Sequence, residues 1–438
     1  MSRPFCHCQC KLCRAPRGGH CRAHPSCGAP ARAAAPDPLP RLDEHSVADA
    51  LQLLKAGSGS HSPSVAEVER AIPGLVKVDA CFLSNPYATD EVMRRLRSIA
   101  PAALERMVSH YPSQGGAIAS TLAPSVGVPP DQLVVANGAC EVIQALLARA
   151  PGPLLLSLPT FSAYYEFASG PVVPHHLDPE QDFRLDLDEL EAMVERYEPD
   201  TVVIINPNNP DGGLVPEAAL VDFVRRMQGR VRQVIVDESF AAFASEDEPP
   251  TLAPLVTDLP HLVVVNSLSK SHGIPGLRLG YAVMSPARVR EMRARDLWSI
   301  NAFAEWFCGL LADPDYRRAQ EAARRRYVRD TRRLITGLGD LPGVRVFPSA
   351  ANFALLELDR SARAVATALL ARHGIYVRDC GDKWGLEGDR YLRVAGRREA
   401  ENRAVLAALA DVLAEPSGNG RAPVPTERGH ATDFVAAL

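Results

Sequence analysis

The stretch "NSLSKSHGIPGLRLGYAV", residues 266–283, places Lys270 where an apolar run gives way to a glycine-rich loop, with Arg278 eight residues on. A lysine buried only for packing is costly, because desolvation penalises its charged form. Its setting between Ser267, Ser269 and three glycines therefore reads as chemistry. Short β-branched runs precede it: "QLVVA", "PLLLSL", "TVVIIN", "RQVIVD" and "LVVVNS". Between them lie helical segments such as "ACEVIQALLARA", "LDLDELEAMVERY" and "PEAALVDFVRRM", the last with Pro216 at its first turn. Strands alternating with helices predict an α/β fold, a largely parallel sheet covered on both faces. Ligands of such sheets bind at the carboxyl ends of the strands.

After Ile300 the texture changes. A basic helix is expected in "YRRAQEAARRRYVRDTRRLI", followed by "VRVFPSAANFALLEL", "ARAVATALLARHG", "YLRVAGR" and "EAENRAVLAALADVL". This predicts a smaller α/β domain over 321–414 beside a large domain over 91–320. Residues 41–90 are expected to pack with the small domain, since they would otherwise have no core. Pro/Ala-rich "GAPARAAAPDPLP", "GSGSHSPS" at 57–64 and the tail from about 415 to 438 read as flexible.

The 438 residues carry 46% hydrophobic side chains and a formal net charge of −4. That balance recommends neither nucleic acid nor an anionic membrane as partner. No apolar run approaches the about 20 residues of a membrane span. Without an apolar secretory stretch near Met1, the cytoplasm is the expected compartment. Six of ten cysteines, Cys6, Cys8, Cys10, Cys13, Cys21 and Cys27, crowd the first 30 residues with His7, His20 and His24. Their spacing is not the paired C-x-x-C of a structural zinc site, and few apolar residues surround them. Residues 1–40 are therefore read as a disordered leader, and no metal site is expected.

Polar groups cluster just after the strands. "NGACE" opens a helix and offers free N–H groups at Gly138, Ala139 and Cys140 to an anion. "PTFSAYY" brings Phe161, a ring suited to lie on a planar ligand. "NPNNPDGG" presents the Asn209 amide from a rigid turn, and "VDESF" ends a strand on Asp237, a carboxylate needing a cation. With Lys270, Ser267, Ser269 and Arg278, these describe a planar aromatic ligand with a phosphate, a ring nitrogen and an aldehyde. That ligand is pyridoxal 5′-phosphate, with Lys270 as its Schiff-base residue.

In order, "NGAC", "PTF", "NPNNPDG", "VDESF", "SLSK" with its later arginine, and "YLRVA" resemble fold-type I aminotransferases over about residues 80–413. The similarity points to the branch of histidinol-phosphate aminotransferases and threonine-phosphate decarboxylases. The resemblance implies backbone contacts from Gly138, Ala139 and Cys140 to the cofactor phosphate. It also implies Phe161 stacked on the ring, Asn209 on the 3′-oxygen and Asp237 on the pyridinium nitrogen. Tyr111 in "HYPSQ" matches a tyrosine reaching the neighbouring subunit's cofactor phosphate, which implies a homodimer. Arg393 of "YLRVA" matches the arginine that grips the α-carboxylate, and Arg378 one that grips a distal phosphate. Phe240 stands where many relatives carry a tyrosine. "NPDG" replaces the more usual "NPTG", and Cys140 stands where an acidic residue is common.

The expected activity is transamination of a small amino acid or its keto acid, bearing a second anionic group such as phosphate or phosphonate. The alternative is α-decarboxylation of a phosphorylated amino acid on the same scaffold, toward which "DESF", "LWSINAFAE" and "VRDC" lean. A regulator that binds the cofactor without turnover would need a DNA-binding domain, which the leader is not.

Overall fold

The structure is a computed structural model that describes residues 43–293 and 299–415. The leader over 1–40, residues 416–438 of the tail and part of "LWSINAFAE" lie outside the described residues.

Thirteen strands are present among the described residues: β1 (Val78–Asp79), β2 (Leu133–Ala136), β3 (Leu154–Leu158), β4 (Val172–His176), β5 (Thr201–Ile205), β6 (Gln233–Asp237), β7 (Leu262–Ser267), β8 (Gly280–Val283), β9 (Val344–Val346), β10 (Phe353–Leu358), β11 (Ile375–Tyr376), β12 (Arg378–Asp379) and β13 (Tyr391–Ala395). Seven form one sheet in the order β2-β8-β7-β6-β5-β3-β4. Its pairs are parallel except for β8, which runs against both neighbours, β7 and β2.

Every residue of β5 and β6 is buried, as continuous apolar strands require when helices cover both faces. Alternate side chains divide between two cores. Val234 and Val236 pack with Leu220 and Phe223 on one face. Ile235 packs with Ile143 and Leu147 on the other. Burying each such side chain contributes roughly 1.5–3 kcal/mol.

A second, antiparallel sheet has the order β12-β13-β10-β9. Leu356, Leu392 and Val394 on it pack against Leu334 and Leu338 of the helix Pro314–Gly339 and Val405 and Leu409 of the helix Glu399–Ala414. Asp313 caps the long helix and Pro314 occupies its first turn, where proline's missing N–H costs nothing. β1 pairs in parallel with β11, and Ala80 joins the core behind this sheet.

The expectation of a flexible "GSGSHSPS" is corrected here. Ser64 and Glu67 form a reciprocal capping box on the helix Val65–Ala71, and the Lys55 ammonium donates to the carbonyls of Gly59 and His61 at 2.8 and 2.5 Å. Glycine and serine allow the turns, and Arg378, donating to Ser62 Oγ and the Ser60 carbonyl from 316 and 318 residues on, then holds them.

Candidate active site

Strand direction gathers the site. Gly138 follows β2, Phe161 follows β3, Asn209 follows β5, Asp237 ends β6 and Lys270 follows β7. β8 runs the other way, so Arg278, two residues before it, comes to the same sheet edge. Six of the residues singled out in the sequence thus share one rim.

Lys270 lies in the short helix Leu268–Ser271. The carbonyl of Lys270 accepts from the Asn85 N–H at 3.0 Å, and the Asn85 amide donates to the Ser271 carbonyl at 3.3 Å. These bonds fix the turn that aims the lysine. Its ammonium sits 5.8 Å from the centroid of the Phe240 ring. Desolvation, assisted by the Arg393 charge, lowers its pKa to about 8.

An anion cradle adjoins it. Gly138 has φ +87°, and a Cβ there would lie 2.7 Å from an Arg278 guanidinium nitrogen, so only glycine fits. The guanidinium therefore rests on the start of the helix Ala139–Leu147, whose free N–H groups face the same space. Ser267 and Ser269 are buried, and among the described residues the Ser269 hydroxyl has no partner. Cys140 is partly buried, and burial raises its thiol pKa.

Asp237 is buried with both carboxylate oxygens engaged: Tyr164 donates to Oδ2 at 2.9 Å and the Ser239 N–H to Oδ1 at 2.9 Å. Burial is the main cause of its raised pKa. No cation forms an ion pair with it among the described residues, so its charge still wants a partner. Tyr164 lies in the quoted "PTFSAYY", yet a sequence gives no means of pairing it with a carboxylate 73 residues on.

On the opposite wall, Arg393 donates to Asn209 Oδ1 at 2.7 Å and to the Cys81 carbonyl at 3.0 Å. Among the described residues its Nε has no partner and no carboxylate pairs with it. A buried guanidinium without a counter-charge is chemically suited to receive a carboxylate. Arg378 stands directly opposite Arg393 across β12 and β13. It donates to Ser62 Oγ at 2.8 Å, to the Ser60 carbonyl at 2.8 Å and to Asp382 Oδ1 at 2.7 Å.

Those contacts bring residues 60–62 over the site as a strap. The Ser60 and Ser162 hydroxyls are 2.6 Å apart, and the His61 ring lies 6.0 Å from that of Phe161. Neither Ser60, His61 nor Ser62 was singled out in the sequence, where they read as linker. Tyr111 is 86% exposed, between the helices Pro101–Ser109 and Gly115–Val126.

Residues 82–409 match the family model of aminotransferase class I and II. The chain belongs to that family. An L-serine phosphate decarboxylase of Campylobacter jejuni is 36% identical, over 85% of this chain and 98% of that protein. The solved structure of a decarboxylase from Sulfurospirillum multivorans superposes with a TM-score of 0.79 at 37% identity, over 85% of this chain and 97% of that one. A histidinol-phosphate aminotransferase of a Thermoanaerobacter species is 30% identical, over 74% of this chain and 90% of that protein. The fold is that of the fold-type I pyridoxal phosphate-dependent transferases, and the enzyme uses pyridoxal 5′-phosphate. Its residues fit that group. The buried Ser269 hydroxyl, unpartnered among the described residues, and the Gly138–Arg278 cradle suit the phosphate, and Asp237, without a cation partner among the described residues, suits a protonated ring nitrogen.

Proposed function

We propose that this chain is a pyridoxal phosphate-dependent α-decarboxylase of a phosphorylated amino acid, O-phospho-L-serine being the substrate. The carrying observation is the 36% identity to an L-serine phosphate decarboxylase across 98% of that protein's length. Two opposed arginines in one pocket support it, since the substrate has an anion at each end. Transamination, placed first from the sequence, has the weaker support: the aminotransferase compared above is 30% identical over 74% of this chain.

In this reading Gly138, Ala139, Cys140, Ser267, Ser269 and Arg278 hold the cofactor phosphate. Phe161 lies on the ring, Asn209 binds the 3′-oxygen and Asp237 the ring nitrogen. Bound, the cofactor supplies an aldehyde for the amino group and a conjugated ring that accepts the electron pair left when a bond to Cα breaks. Asp237, oriented by Tyr164 and Ser239, keeps the ring nitrogen protonated. Arg393 takes the α-carboxylate and sets the direction of the bond between it and Cα. Arg378, at the distal end, faces the phosphate. Binding energy collected from the phosphate holds the substrate while its carboxylate leaves as neutral CO2 and the ion pair with Arg393 is lost. The Lys270 amine would hold the proton on Nζ that Cα then receives. In transamination the same nitrogen would instead remove the α-proton.

The reading also makes the protein a homodimer, with exposed Tyr111 reaching the neighbouring subunit's cofactor phosphate. Purified holoenzyme supplied with O-phospho-L-serine tests the reaction. CO2 release that requires no keto acid supports decarboxylation. Keto-acid-dependent turnover without CO2 would return the assignment to transamination.

A further inference from the structure

The loop "CGDKWGLEG", residues 380–388, carries a charge that the roles above leave unused. Lys383 is only 7% exposed, yet among the described residues its ammonium makes no hydrogen bond and no ion pair. The loop is pinned on both sides of it. Trp384 packs edge-on against Tyr165 with ring centroids 5.4 Å apart. Gly385, at φ +89°, approaches the backbone so closely that a Cβ would lie 2.9 Å from the Pro159 nitrogen. That contact ties the loop to the segment carrying Phe161. At the other end the Lys383 N–H donates to the Cys380 carbonyl at 3.0 Å, just after β12 and Arg378. Lys383 is thereby fixed between the cofactor-facing aromatic segment and the arginine pair.

The local charge is unbalanced. Asp382 already serves two cations, Lys55 at 2.6 Å and Arg378 at 2.7 Å. Asp379 pairs with Arg363 at 3.3 Å. Burial, then the Arg378 charge, then that of Arg393 lower the Lys383 pKa to about 8, so all three cations share one field. A buried ammonium with no counter-ion is costly unless an anion arrives to meet it. Arg378 has three hydrogen bonds committed to the strap and to Asp382, whereas all three donors of Lys383 are open toward the described residues.

We propose that Lys383 binds the distal phosphate of the substrate beside Arg378, and so sets the preference for a phosphorylated over an unphosphorylated amino acid. The assignment rests on the phosphorylated-substrate reading above. Arg378 positions the strap and lends its field, and Lys383 brings the free charge.

The test is binding of O-phospho-L-serine and of L-serine to the holoenzyme, with KM and kcat, for wild type, Lys383→Met and Lys383→Arg. Loss of a charge-assisted contact in a buried site predicts a rise of at least about 30-fold in Kd and KM for O-phospho-L-serine with the methionine variant. Its Kd for L-serine should stay within about twofold of wild type, and arginine should restore part of the lost affinity. The ligand-free methionine variant should unfold at an unchanged or higher temperature, because an unpaired buried charge has been removed. Unchanged O-phospho-L-serine affinity, equal weakening toward both amino acids, or a clear drop in melting temperature would each overturn the assignment. A wild type that binds O-phospho-L-serine no better than L-serine would sink the substrate reading itself, and the subsite with it.

Discussion

Arg378 and Arg393 face each other as directly paired residues of the antiparallel strands β12 and β13, and both are buried. Like charges in that relation destabilise a sheet. On the proposed reading the pocket keeps them for anions, Arg393 taking the α-carboxylate and Arg378 lending its charge to the distal phosphate beside Lys383. Arg393→Ala should lower kcat/KM for every amino acid tested, since all carry an α-carboxylate. The loss of a buried ion pair, about 2–5 kcal/mol, corresponds to roughly 30- to 5,000-fold. Arg378→Ala should depress kcat/KM for O-phospho-L-serine while nearly sparing L-serine. It should also lower the melting temperature, because the strap loses its ties to Ser60 and Ser62. Equal losses on both substrates in the Arg378 variant would mean that it only orders the strap.

Lys270 has a pH signature. With its pKa lowered to about 8, mainly by burial, the neutral amine that reacts with an aldehyde dominates above that pH. The rate at which cofactor-free protein takes up pyridoxal phosphate should rise about tenfold from pH 7 to pH 9 and then level off. A lysine near its ordinary value would give roughly a hundredfold over the same interval with no plateau. Lys270→Ala should show no visible absorbance of attached cofactor and no turnover. A variant that keeps both would exclude Lys270 as the attachment point.

The rim of the large sheet was legible in the sequence because each of its residues sits at the end of a buried apolar run. Gly138, Phe161, Asn209, Asp237 and Lys270 follow such runs within a few positions. The reversed direction of β8 was not read from "RLGYAVM", although only 12 residues separate it from β7, close to the minimum for a parallel crossover. Contacts between distant segments left no local trace. Tyr164 finds Asp237, Arg393 finds Asn209, and Ser60 and Ser62 find Arg378 only once the chain is folded. Lys383 resembled any loop lysine, because its 7% exposure arises only in the fold, where the loop next to it is held by Gly385 against Leu158–Pro159 and by Trp384 against Tyr165. Glu238, beside Asp237 in "VDESF", was likewise passed over.

Glu238 predicts a pH-dependent stability. It is buried, accepting from Thr251 Oγ1 and from the Leu252 N–H, both at 2.6 Å, and burial raises its pKa to about 7. A carboxyl whose folded pKa lies above its unfolded value, 4.5, contributes stability below that value and loses it as pH rises through about 7. Glu238→Gln removes the ionisation. The melting temperature of the variant relative to wild type should therefore climb between pH 5 and pH 8, by up to about 3 kcal/mol in stability. A difference that does not change with pH would show that Glu238 keeps an ordinary pKa.

The most direct test of the central claim is the product formed from O-phospho-L-serine by the holoenzyme in D2O, followed by proton and phosphorus NMR. Decarboxylation with a proton delivered to Cα predicts ethanolamine phosphate carrying one deuterium at the former Cα, with equimolar CO2 and no need for an amino acceptor. Formation of 3-phosphohydroxypyruvate, dependent on an added keto acid and without CO2, would contradict the account.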